Sequence, residues 1–300
     1  CTGGCRILHA QMNPDPETQA IDALAIPEDV PVVVARALAE DIGSGDVTAV
    51  LIPENARATA RVLLREDAVL CGAPWFNEVF RQLDRSIRPD WAFADGEDVA
   101  ADRVVCTVEG PARALFTGER TALNFLQTLT GTATRSRTYA KAVAGTDCRV
   151  LDTRKTLPGL RTAQKYAVRT GGCENHRMGL FDAILIKENH IGAAGGVAAA
   201  VHAARLASPG LDVEIEVESI DEIEPAIAAG ANRLLLDNFS LDGLRDAVTR
   251  VAGRAETEAS GGITVSALPD IAATGVDYIS TGTLTKDVIA ADFSMRIVVK

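Results

Sequence analysis

Aromatic residues are scarce in this 300-residue chain: two Trp, three Tyr and eight Phe make up 4% of it. Positive charge is also in deficit, with 30 Lys and Arg against 41 Asp and Glu and a formal net charge of −11. Such a chain is poorly suited to nucleic acid or an anionic membrane unless its cations are gathered in one place. Cysteine is limited to positions 1, 5, 71, 106, 148 and 173, with no CxxC pair and no nearby His to complete a zinc pattern. Reduced thiols in a cytoplasmic protein are the expectation. Long apolar runs are missing. The least polar stretch, Ile191 to Ala204, is broken by Gly195, Gly196 and His202 and is too short to span a bilayer. The first twenty residues carry Arg6 and His9 without an apolar run, which argues against a signal peptide. Residues 1–22 are expected to form a disordered tail.

What remains is a composition able to bury a large core, 47% of it hydrophobic. Val32 to Leu38 reads as a helix closed by the turn Gly43-Ser44-Gly45-Asp46, and Ala58 to Leu64 as a strand with Ala60, Val62 and Leu64 on one face. Pro74 opens a helix with Phe76, Val79, Phe80 and Leu83 at helical spacing. Val104 to Val108 reads as a further strand. A longer helix begins near Thr117 and turns Leu123, Leu126 and Leu129 inward. This mixture without strict alternation predicts an α/β (α+β) domain over 23–130, rejoined by 286–300.

After Thr138 the rhythm changes. Six short apolar runs follow, over 148–155, 183–190, 213–219, 233–238, 257–262 and 278–283. Their terminal residues Lys187, Glu216, Asp237, Ser260 and Gly282 are separated by 29, 21, 23 and 22 positions, the period of a βα unit. The helix after the third run is expected to start in a capping box at Ser219 and Glu222. Repeated βα units predict a parallel barrel with its site at the C-terminal ends of the strands. Six strands over 131–285 are too few for a closed eight-stranded barrel, so an open, incomplete α/β barrel is the expected catalytic domain.

Within the acidic chain one stretch inverts its charge. From Arg149 to His190 eight basic residues face four acidic ones. Arg154, Lys155 and Lys187 lie at or just past two strand ends, with His176 and Arg177 between those strands. Converging cations repel one another unless an anion lies between them, which points to an anion site; the alternative is a solvated basic face paired with acids elsewhere. Glu216 and Asp237, at the ends of the next two strands, suit a hard cation such as Mg²⁺, or else each pairs with one of the lysines. Ser260-Gly261-Gly262 and Thr281-Gly282-Thr283 close the last two strands, where barrels commonly offer backbone N–H groups to a phosphate.

These residues carry a resemblance. Asp152-Thr153-Arg154-Lys155-Thr156, Asn175-His176-Arg177, Leu185-Ile186-Lys187-Glu188-Asn189-His190, Glu214-Ile215-Glu216-Val217-Glu218 and Glu258-Ala259-Ser260-Gly261-Gly262-Ile263 resemble the motif series of the quinolinate phosphoribosyltransferases. These are the carboxylating nicotinate-nucleotide pyrophosphorylases. Glu40 to Thr48 and Gly118 to Asn124 are similar to that family too, and the match runs in order from about Ala35 to Thr285.

The resemblance implies a type II phosphoribosyltransferase. Such an enzyme would convert quinolinate and phosphoribosyl pyrophosphate to nicotinate mononucleotide, pyrophosphate and CO₂, with Mg²⁺, in NAD biosynthesis. It also implies a homodimer, or an assembly of dimers, with a shared active site. Position by position, Arg154, Arg177 and Lys187 would bind the two quinolinate carboxylates with His176 beside them, and Arg120 would reach in from the neighbouring subunit. Lys155 would contact the pyrophosphate, Glu216 and Asp237 the ribose and metal, and Ser260, Gly261 and Gly282 the 5′-phosphate.

Three other readings compete. A relative drifted to nicotinate would need fewer cations. A Schiff-base aldolase could use Lys187 at its strand end, its pKa lowered by Arg154 and Arg177, but would leave Glu216, Asp237 and the phosphate loops without a role. A non-catalytic anion-binding regulator would bind phosphoribosyl pyrophosphate without releasing CO₂. His202, Trp75 and Trp91 read as packing residues, and neither Cys148 nor Cys173 has an adjacent base that would make it a nucleophile.

Overall fold

The computed structural model describes residues 25–300, so the tail expected over 1–22 lies outside the described residues. The chain begins with helix α1 (Val30–Ile42), stopped at Gly43, whose backbone is left-handed (φ 53°) and donates to Ala39 O. Asp46 Oδ1 then accepts from the backbone of Thr48 and Ala49, fixing the turn before β1 (Arg57–Leu64). Alternation puts Ala58, Ala60, Val62 and Leu64 on the buried face of β1. A two-residue strand β2 (Ala68–Val69) leads into α2 (Ala73–Leu83), which buries Trp75, Phe76, Val79 and Phe80. Next come β3 (Arg88–Trp91), β4 (Asp98–Val99) and β5 (Arg103–Pro111).

Helix α3 (Ala112–Ala142) follows without a loop and runs for 31 residues. It is longer at both ends than the leucine pattern from Thr117 predicts. Its C-terminal half is rich in Thr and Ser, which ordinarily disfavour helix interiors. Here Thr132, Thr134, Ser136 and Thr138 each bond to the carbonyl four residues back, which satisfies their hydroxyls within the helix. Leu115 and Leu126 of α3 belong to the first hydrophobic core and Tyr139 to the second, so this one helix joins the two halves. At Gly131 a side-chain carbon would meet Ile289 O at 1.9 Å, so only glycine lets the returning chain pass.

The second half supplies β6 (Arg149–Leu151), α4 (Arg161–Thr170), β7 (Ile184–Ile186), α5 (Glu188–Ala194), α6 (Val197–Ala207), β8 (Val213–Val217) and α7 (Ile223–Ala228). After these come β9 (Arg233–Asp237), α8 (Leu241–Val251), β10 (Glu256–Ser260), α9 (Leu268–Ala272), β11 (Tyr278–Ser280) and α10 (Thr283–Lys286). Six strands form one parallel sheet in the order β6-β11-β10-β9-β8-β7. This is the expected open barrel, with its gap between β6 and β7. A seventh contribution escaped the sequence pattern: Glu174 makes a single parallel bridge to Leu151 and extends the sheet from β6 into the gap. The final strand, β12 (Phe293–Val299), leaves the barrel and pairs antiparallel with β1, completing a four-stranded sheet β12-β1-β5-β3.

One local expectation is overturned. Ser219 makes no capping bond; Glu222 instead accepts from Glu218 N at 2.8 Å, and a 3₁₀ turn (Ile220–Glu222) precedes α7. A glutamate side chain can reach either of two neighbouring N–H groups, and the tighter turn selects the earlier one.

Candidate active site

Burial divides the basic stretch in two. Arg149, at the start of β6, lies 3.3 Å from Glu174 and 4.7 Å from the Tyr278 ring, at the opposite end of the barrel from the mouth. Arg161 donates to Thr156 Oγ1 and Met178 O, tying the loop after β6 to the loop before β7. Lys165 is fully buried. Its ammonium donates to Asp152 and, at 2.8 Å, to His176 O. Asp152 also accepts from Asn175 Nδ2 (2.7 Å) and His176 N (2.9 Å). Burial pushes the Asp152 carboxyl up and the Lys165 ammonium down, while their mutual charge opposes both shifts. Three of the eight basic residues, Arg149, Arg161 and Lys165, are therefore structural. Charge counting could not separate them, because a lysine inside and a lysine at the mouth look alike in one dimension.

Arg154, Arg177 and Lys187 lie at the mouth. Arg154 follows β6, Arg177 follows the Glu174 bridge and Lys187 follows β7. Among the described residues neither Arg154 nor Arg177 has an acidic partner within salt-bridge distance. Arg154 Nε is buried without a hydrogen bond. The Arg177 guanidinium is lowered first by burial and then by repulsion from Arg154, and it donates to Ala183 O at 3.3 Å. Two arginines held near one another without a counter-ion make a socket for an anion. Lys187 faces the acids instead: its Nζ lies 2.7 Å from Glu216 Oε2, and its backbone N–H donates to His190 Nδ1.

Glu216 and Asp237 stand on the neighbouring strands β8 and β9. Burial and the charge of Glu216 raise the Asp237 carboxyl, opposed by Lys187, Lys155 and the amide of Asn238. Two oxygen ligands at adjacent strand ends suit a hard cation. Lys155 lies over the last glycine loop: a side-chain carbon at Gly282 would come within 2.7 Å of Lys155 Cδ. Gly261 is left-handed (φ 108°), and a side chain there would strike the Asn238 amide at 2.2 Å. Ser260 O accepts from Asn238 N at 3.0 Å.

His176 is placed beneath these groups. Its Nδ1 accepts from Arg177 N (2.7 Å), while Nε2 lies 2.8 Å from Glu214 Oε2 and 3.6 Å from Glu258 Oε2. Burial alone would lower the imidazole; the hydrogen-bonding and charge of Glu214, with the charge of Glu258, leave it raised. Arg233 Nη1 sits 3.3 Å from Glu258, and its guanidinium lies 4.0 Å from the Tyr278 ring centroid. Burial and then Glu214 push the Glu258 carboxyl up to about 7. His176, Glu214 and Glu258 have the spacing of a metal triad. Arg233 already supplies positive charge there, 3.3 Å from Glu258. Glu214, Glu258 and Arg233 were not singled out from sequence. The two-residue spacing of Glu214 from Glu216 and of Glu258 from Ser260 was the available signal, since alternate strand residues share a face.

Arg120 lies elsewhere. It is exposed on α3, in the first half of the chain, and none of the described hydrogen bonds or ion pairs joins it to this mouth.

The description "Quinolinate phosphoribosyl transferase, N-terminal domain" matches residues 46–130, and its C-terminal counterpart matches 132–296. The chain belongs to the quinolinate phosphoribosyltransferase family. It is 40% identical over 259 residues to a probable carboxylating nicotinate-nucleotide pyrophosphorylase of Bacillus subtilis, covering 86% of this chain and 90% of that one. It is 39% identical over 290 residues to the chloroplastic carboxylating enzyme of Arabidopsis thaliana, covering 90% and 83%. The solved structure of nicotinate-nucleotide pyrophosphorylase from Francisella tularensis superposes with a TM-score of 0.88 at 45% identity, covering 94% of this chain and all of that one. This quinolinate phosphoribosyltransferase thus has the two-part fold of its relatives, with cations, acids and glycine loops at one barrel mouth. Among the described residues no helix is long and apolar enough to cross a membrane.

Proposed function

We propose that this chain transfers phosphoribosyl from phosphoribosyl pyrophosphate to the ring nitrogen of quinolinate, with loss of CO₂, in NAD biosynthesis. The observation that carries this reading is the unpaired Arg154–Arg177 socket beside an acidic pair and two glycine loops. Arg154, Arg177 and Lys187 bind the two carboxylates, and Lys155 meets the pyrophosphate. Ser260, Gly261 and Gly282 receive the 5′-phosphate.

The pyridine nitrogen attacks C1 of the ribose as the bond to pyrophosphate breaks. The carboxylates of Glu216 and Asp237 stabilise the positive charge that builds on the ribose. Ribosylation leaves the ring nitrogen cationic. The C2 carboxylate then departs as CO₂, its bonding pair stays on C2 beside that cation, and a proton completes the product. The chain's contribution is orientation and charge screening. Glu216 and Asp237 would hold Mg²⁺, which when bound neutralises charge on the leaving pyrophosphate.

The active unit in this reading is a cytoplasmic homodimer in which Arg120 enters the partner's mouth. Two features support it. Val47, Val50 and Leu51 are strongly exposed on the segment tied to α3 by the hydrogen bond from Thr117, one turn before Arg120, to Asp46. The four cysteines among the described residues are buried free thiols, as suits a reducing compartment.

The deciding experiment supplies quinolinate labelled in its C2 carboxyl, phosphoribosyl pyrophosphate and Mg²⁺. Labelled CO₂ and pyrophosphate in equal amounts are expected. Binding of both substrates without CO₂ release would overturn the assignment.

A further inference from the structure

Asn238 adopts a left-handed backbone conformation (φ 58°), one of three non-glycine residues to do so among the described residues and the one at the barrel mouth. Asn tolerates this region better than most residues, although glycine would meet the backbone requirement at least as well. What asparagine adds is its amide. Nδ2 donates to Asp237 Oδ2 at 2.6 Å, and the backbone N–H of Asn238 donates to Ser260 O at 3.0 Å. On its other side the amide presses on Gly261, where a side-chain carbon would lie 2.2 Å from Oδ1 and 2.8 Å from Cγ. One side chain therefore touches both the carboxylate at the end of β9 and the glycine loop after β10.

We infer that Asn238 is a positioning residue: its amide orients the Asp237 carboxylate toward the ribose, and its bulk sets the distance from that carboxylate to the 5′-phosphate loop. The inference rests on the reaction proposed above. A charge-assisted bond to one carboxylate oxygen fixes the plane of the group and leaves Oδ1 to face the substrate. Contact with Gly261 transmits that position to the next strand, so the ribose and phosphate ends of one substrate meet a fixed frame. Asn238 makes none of these contacts with Arg154, Arg177 or Lys187, the residues that hold quinolinate.

Asn238→Gly keeps the backbone conformation and removes the amide. It should melt within a few degrees of the native chain. Its Kd for phosphoribosyl pyrophosphate, measured by calorimetry without quinolinate, should weaken roughly tenfold. KM for that substrate should rise in step while KM for quinolinate stays within twofold. Asn238→Asp preserves the shape and the left-handed tolerance but replaces the donor with an acceptor; without added divalent ion it should bind phosphoribosyl pyrophosphate no better than the glycine variant. If Asn238→Gly does not fold, the aspartate variant carries the test.

Unchanged binding of phosphoribosyl pyrophosphate in the variant tested would overturn the role, and so would equal weakening for both substrates. A native chain that releases no CO₂ would instead overturn the proposed reaction, and the positioning role with it. An active native chain with an indifferent Asn238 overturns the positioning role alone.

Discussion

Lys187 Nζ lies 2.7 Å from Glu216 Oε2, so the cationic and acidic halves of the mouth neutralise each other across neighbouring strands β7 and β8. The Lys187 side chain is 51% exposed, and such a pair contributes at most about 1 kcal/mol to stability. Its removal is therefore a test of function.

Lys187→Ala and Arg154→Ala should keep native melting temperatures and lose turnover of quinolinate by about 100-fold or more, as expected when a charge-assisted contact to a carboxylate is deleted. Steady-state assays with thermal melts check this; near-native kinetics in both variants would refute the site.

Because Arg154 and Arg177 repel one another without a counter-ion, a dicarboxylate should stabilise the chain. Benzene-1,2-dicarboxylate has the quinolinate geometry without the nucleophilic nitrogen. At 100 times its Kd it should add about 2.7 kcal/mol of stability, more than nicotinate at the same concentration. Equal melting shifts for the two acids would point to a site built for one carboxylate.

Asp152 and Lys165 form a buried pair with Asn175 and His176 N around it. Lys165→Met leaves an uncompensated buried carboxylate, with an expected loss of about 3–5 kcal/mol in urea denaturation. A loss below ~1 kcal/mol would mean that the network is not what holds β6 to the Asn175–Arg177 segment.

Glu258 titrates near 7 in the fold, against an ordinary value near 4.5. The folded chain then binds the extra proton, so this group's stabilising contribution is complete below about pH 4.5 and is lost as pH rises through about 7. Glu258→Gln keeps the neutral form and should flatten that decline. A native stability profile that is level between pH 5 and 7.5 would contradict the shift.

If Arg120 serves the partner's mouth, Arg120→Ala and Lys187→Ala should complement each other. Subunits remixed in equal amounts give dimers half of which carry one intact site, and about a quarter of native activity should return. Two inactive parents that remain inactive after proven mixing would place Arg120 outside the active site.

Much of the site was legible because barrel chemistry sits at strand ends, and strand ends can be found by period. Lys187, Glu216, Asp237 and Ser260 lie within one residue of the ends of successive strands, as the 21- to 29-residue spacing predicts. Asn238 escaped because its role depends on a left-handed backbone and on the absence of a side chain at Gly261. Lys165 was counted with the basic stretch and could not be told from the mouth cations, because its partner Asp152 lies thirteen residues away, on another element.

The six barrel strands, the buried face of β1 and the residue types at the barrel strand ends follow from local periodicity, and the sequence alone determined them. Which charges are spent inside the protein, that α3 serves both cores, and that Glu174 extends the open sheet were decided only by the tertiary structure. The reason is physical. Burial and pairing are properties of distance in space, and desolvation assigns the same lysine to a core network or to a substrate according to what is packed around it.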